Sequence, residues 1–340
     1  MRAEASQMAG LVLACLVVLV VALQVNKALS LELHFYRNSC PQAELVVKRI
    51  AQKHFSNDPS LPAGFLRLHF HDCFIRGCDA SVLIDSTDEN VAEKEAPPNL
   101  TLRGFEVIDE IKSELEKQCK GIVSCADILA LATRDGVAFA GGSAYALPTG
   151  RRDGTISIFS DVHIPGPSFS IADASKAFQT INLDLTDLTT LLGAHAIGFC
   201  HCGFFVQRLY NFRGSGLSDP SMDSNFLDFL RKSCPKPVEQ NTNISADPKV
   251  FMTAKTSTPF KLDTAFYSGL LEEEAVLQLD QDLAFTDITR KIASDYVNRP
   301  KMFRRKFAEA MIKLGNVGVL TGQEGEIRLN CRRVNNPTSQ

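Results

Sequence analysis

Apolar residues recur three or four apart along most of the chain, the spacing of one face of an α-helix. Phe105, Ile108, Ile111 and Leu115 form one such stripe, and Phe303, Phe307, Met311 and Leu314 form another. Both read as core faces. The same spacing predicts helices over 41–55, 62–74, 124–139, 170–181, 186–200, 203–210, 224–232, 264–270 and 287–298. Thr186 fits the N-cap of the fifth, with Asp187 at the positive end of its dipole. Clusters of proline and glycine at 141–150, 163–168 and 213–220 interrupt the periodicity and predict loops. The sequence holds no internal repeat and no linker that would divide it. The predicted fold class is mainly α, in a single domain over 31–340.

The N-terminus breaks this pattern. Arg2 precedes an apolar run over 11–25, followed by Ala28, Leu29 and Ser30, small enough at the outer positions for signal peptidase. Residues 1–30 therefore read as a signal peptide, with the mature chain starting near Leu31. An uncleaved membrane anchor needs about 20 apolar residues, more than this run supplies. Cys15 leaves with the signal, and nine cysteines remain: Cys40, Cys73, Cys78, Cys119, Cys125, Cys200, Cys202, Cys234 and Cys331. In an exported chain, that number predicts four disulfides and one leftover thiol, with the pairing left open by the spacing. A formal charge of -3 gives no electrostatic footprint for nucleic acid or for anionic polymers.

The densest chemistry lies in Phe65-Leu66-Arg67-Leu68-His69-Phe70-His71-Asp72-Cys73, continuing to Cys78-Asp79-Ala80-Ser81. Four residues apart on a helix, Arg67 and His71 share a face, which sets a base beside a fixed cation. Asp72 turns about 100° away from His71. In that direction Asp72, Asp79, the Ser81 hydroxyl and carbonyls of the 73–78 loop make an all-oxygen set suited to a hard cation such as calcium. His195, Cys200, His201 and Cys202 carry zinc-ligand types, but clustered in one predicted helix they cannot close a tetrahedron.

The 67–81 string resembles the distal haem motif of the plant secretory, or class III, haem peroxidases. The likeness runs from about 33 to 335. It includes Phe35-Tyr36, Ser39-Cys40-Pro41, Leu102-Arg103-Gly104-Phe105, Val123-Ser124-Cys125-Ala126-Asp127, Gly150-Arg151-Arg152-Asp153, Gly193-Ala194-His195 and Gly325-Glu326-Ile327-Arg328. The resemblance implies a haem-peroxidase fold whose distal and proximal helical halves sandwich haem b. It implies a monomer without nucleic-acid or membrane partners. The implied activity is oxidation of small phenols by hydrogen peroxide through high-valent iron, in cell-wall phenol and lignin metabolism and in peroxide removal.

Carried over by position, His195 is the axial ligand and Asp280 accepts its other N–H. His71 moves the peroxide proton, Asn99 fixes its tautomer, Arg67 stabilises developing charge, and Phe70 limits access. Asp72, Asp79, Ser81 and the carbonyls of Ile75 and Gly77 hold a distal calcium, with Glu93 joining it to the Asn99 network. Pro148 and Phe204 match substrate-channel positions. The implied disulfides are Cys40 with Cys119, Cys73 with Cys78, Cys125 with Cys331 and Cys202 with Cys234, leaving Cys200 free.

The chain also departs from the family. A second, proximal calcium usually uses a threonine after the axial histidine and a later aspartate; here Ala196 and Lys255 stand there. Neither side chain offers a lone pair to the ion. With only Thr258 and Asp263 left, one calcium is expected, the Lys255 ammonium replacing some of the missing charge near Asp263. Tyr145 stands where the family has its tryptophan. Asn99 and Asn243 both begin glycosylation sequons, and only Asn243 is a credible acceptor, since Asn99 is expected beside haem. A secreted, extracellular or wall location fits better than the vacuole, because only a few residues follow Cys331. A non-catalytic relative would be marked by loss of Arg67, His71 or His195, and all three are present. An intracellular, ascorbate-using peroxidase would lack the signal peptide and this cysteine set.

Overall fold

The computed structural model describes residues 31–236, 247–254 and 256–335. Residues 1–30, read above as a signal peptide, the Asn243 sequon and Lys255 lie outside the described residues. The first four helices are α1 (Ala43–Asn57), α2 (Leu61–Ile75), α3 (Phe105–Gln118) and α4 (Cys125–Phe139). They pack α1 and α2 on α4 and α1 on α3, around Phe55, Phe65, Leu68, Ile108, Ile111, Leu115 and Leu129. Then come α5 (Ile171–Thr180), α6 (Leu185–Leu191), strand β1 (Phe199–His201), α7 (Val206–Tyr210), α8 (Ser224–Ser233) and strand β2 (Lys249–Phe251). The chain ends with α9 (Ala265–Leu271), α10 (Gln278–Asp282), α11 (Asp287–Asn298) and α12 (Pro300–Leu314). A second core forms where α6, α9, α11 and α12 meet around Leu188, Tyr267, Tyr296, Phe303 and Phe307. Both predicted stripes face these cores, as amphipathic helices must to bury their apolar sides.

Local chemistry accounts for the starts. Ser124 and Ser170 cap α4 and α5, their hydroxyls accepting the amides of Asp127 and Asp173. The cap of α6 is Asp184, two residues before the predicted Thr186, and it forms a reciprocal box with Asp187. The helix predicted over 186–200 is also shorter. It stops at Leu191, tightens into a 3-10 turn at Leu192–Ala196, and gives way to β1. Two glycines explain the break. A Cβ on Gly193 would lie 2.5 Å from the Tyr267 hydroxyl, so the backbone there presses against the second core, and Gly198 turns the chain at φ 92°.

The four disulfides join Cys40 to Cys119, Cys73 to Cys78, Cys125 to Cys331 and Cys202 to Cys234. Cys200 is free. The third bridge ties residues 206 apart. Tyr145, in the tryptophan's place, packs against both main cores. No helix among the described residues is long and apolar enough to cross a membrane.

Candidate active site

Helix α2 is the wall shared by the two halves. Phe65 and Leu68 belong to the first core, and Leu66 and Phe74 to the second. Arg67 and His71 lie on its remaining face, Phe70 borders the second core, and α2 touches the turn that carries His195.

His71 Nδ1 lies 2.6 Å from Asn99 Oδ1, and Asn99 Nδ2 donates to the Glu93 carbonyl at 2.7 Å. Since the amide nitrogen is committed to a carbonyl, Asn99 presents its oxygen to the ring. His71 must then carry its proton on Nδ1, and Nε2 keeps a bare lone pair. Nε2 makes no hydrogen bond to any described residue. Burial, and then the Arg67 charge, push the ring's pKa down to about 3, so it is neutral at working pH. Arg67 is held by the same segment, donating to Thr101 Oγ1 at 2.9 Å and to the Pro98 carbonyl at 2.6 Å. Burial lowers its pKa to about 10, which leaves it a cation.

His195 mirrors this arrangement from the other half. Its Nδ1 is 3.0 Å from both oxygens of Asp280, a buried carboxylate that can only accept. The proton therefore sits on Nδ1, and Nε2 again has no partner among the described residues. Burial opposes a charge on the ring, yet Asp280 outweighs it and raises the pKa overall. The same carboxylate makes the Nε2 lone pair a stronger metal ligand. The side chain remains 32% open, although the site is deep enough for burial to be the largest influence on the ring. Arg67's charge lowers the pKa of both imidazoles, and its helix touches the turn that carries His195. Two Nε2 lone pairs, one backed by a carboxylate and one by an amide, suit an iron porphyrin with one ligand and one free base.

The oxygen set beyond α2 fits a cation. Asp72 Oδ1, Ser81 Oγ and both Glu93 carboxylate oxygens are buried without hydrogen-bond partners. Burial raises Glu93 to about 8. It also raises Asp72, with Asp79 adding to the shift, and Asp79 in turn. Buried carboxylates side by side with unused lone pairs call for a hard divalent ion. Gly154 allows the close packing, since a Cβ there would come 2.1 Å from Asp79 Oδ2. Gly77 O also accepts the Asp79 amide, and Ile75 ends α2 beside it.

The other candidates are less engaged. Thr258 is exposed and its hydroxyl pairs with Thr256 at 3.1 Å, while Asp263 accepts the Ala265 amide. Ala196 offers only its carbonyl, which takes Thr253 Oγ1 at 3.3 Å. Pro148 lies just before the Thr149 bridge with its carbonyl on Arg151, and Phe204 ends the short turn after β1. Phe70 packs 5.0 Å from Phe74 and 6.1 Å from Phe178, a ring that the sequence reading missed. Phe266, edge-on to His195 at 6.0 Å, was missed as well. Both lie in stretches predicted only as helices, 170–181 and 264–270. The zinc ligand types do not converge, because Cys202 is bonded to Cys234. Asn99 is buried with its amide nitrogen bonded to the Glu93 carbonyl, a position a glycan could not reach.

The family model described as Peroxidase matches residues 47–299. Peroxidase 57 of Arabidopsis thaliana is 46% identical over 305 residues, covering 90% of this chain and 93% of that protein. Peroxidase 28 of the same plant is 44% identical over 310 residues, with the same coverage. Peroxidase 5 of Vitis vinifera is 42% identical over 322 residues, covering 94% and 96%. Identity at that level along nearly the whole chain, with the family model matched over most of it, makes this protein a member of the peroxidase family, in its plant secretory haem branch.

Proposed function

We propose that the protein oxidises phenolic donors with hydrogen peroxide outside the cell, with haem b held through His195 Nε2. The observation that carries this is the pair of imidazoles, each with Nδ1 tied to a side-chain acceptor and Nε2 free. Bound there, haem supplies the iron that takes up peroxide and gives back its oxidising power one electron at a time. His71 Nε2 takes a proton from the peroxide and returns it to the oxygen that leaves as water. Arg67 stabilises the negative charge that develops as the O–O bond opens. Asp280 keeps His195 oriented and basic. Phe70, Phe74 and Phe178 form an apolar wall beside the base, and Pro148 and Phe204 border the route of the donor. Haem-reconstituted protein should turn over several neutral phenols with peroxide; a normal Soret band without any turnover would overturn this reading.

A calcium ion held by Asp72, Asp79, Ser81 and the carbonyls of Ile75 and Gly77 would steady Glu93, and through its carbonyl the Asn99 amide. One ion per haem is expected, because Ala196 and Lys255 cannot complete a second shell. Without calcium, the folded protein holds protons on Asp72, Asp79 and Glu93 to a higher pH than the unfolded chain does. It therefore loses stability as pH rises from the ordinary carboxylate range through about 8, the Glu93 value. Calcium displaces those protons, so it should raise the melting temperature more at pH 8 than at pH 5. Elemental analysis and melting curves check both points; two calcium ions per haem, or equal shifts at the two pH values, would refute them.

A further inference from the structure

A cavity of about 290 Å³ reaches Asp280, the carboxylate that holds His195. Helix α9, the 252–256 segment after β2 and the 272–276 turn enclose most of it, and none of Arg67, His71, Pro148 and Phe204 takes part in its walls. Met252, Ala254, Phe266 and Val276 supply apolar surface. Phe266 is the ring that meets His195 edge-on at 6.0 Å. Apolar walls around a few polar groups are the usual make-up of a small-molecule site, and this volume suits a guest of one ring.

The charges on its walls have one sign. Glu272, Glu274 and Asp280 line it, and no described lysine, arginine or histidine does. Counting Lys255, next to Ala254 in the chain, against them would still leave the lining negative. Arg208 donates to the carbonyls of Ala275 and Val276, but its own charge is matched by Asp219 at 2.8 Å. Glu272 is exposed and stands at the mouth, whereas Asp280 is 1% exposed and forms the inner end. The two Asp280 oxygens share a single donor among the described residues, the His195 Nδ1–H, at 3.0 Å from each. An ionised carboxylate has about four acceptor positions, so most of its lone pairs are unused. A buried anion left partly unsatisfied under apolar walls favours a guest that brings positive charge and gives up its water easily. A flat organic cation does both, and an aromatic face such as that of Phe266 attracts it.

We propose that this cavity binds a small, flat organic cation, its charge beside Asp280 and its ring against Phe266 and Met252. Binding as such stands apart from the peroxidase reading, and only its effect on haem rests on that reading. A positive charge at Asp280 draws the carboxylate's field away from His195 and makes the imidazole a weaker electron donor, so the guest should raise the reduction potential of the iron. The test titrates the haem- and calcium-loaded protein by calorimetry with N-methylpyridinium, which has no lone pair to offer iron, and with toluene, its neutral counterpart of the same shape. The cation should bind about tenfold more tightly than toluene, as fits one partly desolvated charge contact. Ala254→Leu, which fills the space, should weaken both probes about tenfold or more. Glu272→Gln, at the mouth, should weaken the cation about threefold and leave toluene unmoved. Glu106→Gln, an exposed acid on α3, should change neither. Spectroelectrochemistry gives the potential, which should rise on saturation with the cation in the wild type. No binding of the cation, equal affinity for the two probes, or cation binding that Ala254→Leu and Glu272→Gln both leave unchanged would overturn the proposal. So would a potential that stays put at saturation, which would set the charge away from Asp280. If the Soret band and melting temperature show that Ala254→Leu is misfolded, Glu272→Gln and the potential decide the matter. Failure of the peroxidase reading would look different, with no turnover of any donor while the two probes keep their order of affinity.

Discussion

Replacing His71 with alanine should slow the reaction of the haem protein with peroxide by about 10³-fold or more, since a positioned general base alone contributes about 10²–10⁴. The variant loses the Nε2 lone pair, the base that shares a helix face with Arg67. It should nonetheless keep haem and calcium. His195 and Asp280 belong to the other half, and Asp72 leaves α2 in a different direction. Asn99→Ala should be milder, about 10- to 100-fold, because the base survives while its tautomer and aim are lost. With the His71 pKa near 3, the wild-type rate should stay level between pH 5 and 8, as the base form persists throughout. Stopped-flow mixing at the Soret wavelength gives all three rates. A His71→Ala protein with an intact Soret band and a wild-type rate would remove His71 from the mechanism.

The part of the candidate site that could be read from the sequence is the part whose chemistry is local. Arg67, His71 and Asp72 sit on one helix, where spacing alone assigns faces. The tighter geometry is not local, and there the reading slipped. Leu192–Ala196 carries a helical pattern, yet it winds as a 3-10 turn because Tyr267 and Phe303, more than seventy residues away, crowd Gly193. The ribbon was hidden for a similar reason. Three residues per strand are too few for a period-two signal, and Phe199-Cys200-His201 reads as apolar-rich helix until Lys249–Phe251 pairs with it. The carboxylate roles also divide in a way that spacing cannot reveal. Asp72 and Glu93 keep buried oxygens without a protein donor, whereas Asp127 and Asp153, within equally family-like strings, are satisfied by protein donors.

Asp127→Ala should be among the most damaging substitutions outside the candidate active site. Asp127 accepts the Tyr36 hydroxyl at 2.7 Å, the Gly150 amide at 2.6 Å and Arg151 Nη1 at 2.8 Å, and neither charged side chain has any exposure. Through these bonds the N-terminal segment, α4 and the 148–151 loop meet at one carboxylate. Arg151 also donates to the carbonyls of Pro148 and Gly315, but carbonyls do not balance its charge. Deleting Asp127 strands a buried cation and two buried donors, a loss of about 3–5 kcal/mol. For a domain of this size, that corresponds to a fall of roughly 10 °C in the melting temperature. Removing both charges with Asp127→Leu and Arg151→Leu should recover part of it, since the penalty comes mainly from the partner left behind. Both variants should be heated with haem and calcium bound and at one scan rate, because unfolding of a disulfide-linked protein is rarely reversible. A single variant that melts within about 2 °C of the parent, where a shift of roughly 10 °C is expected, would mean that water or a local shift compensates Arg151. The carboxylate would then not be what holds these three segments together.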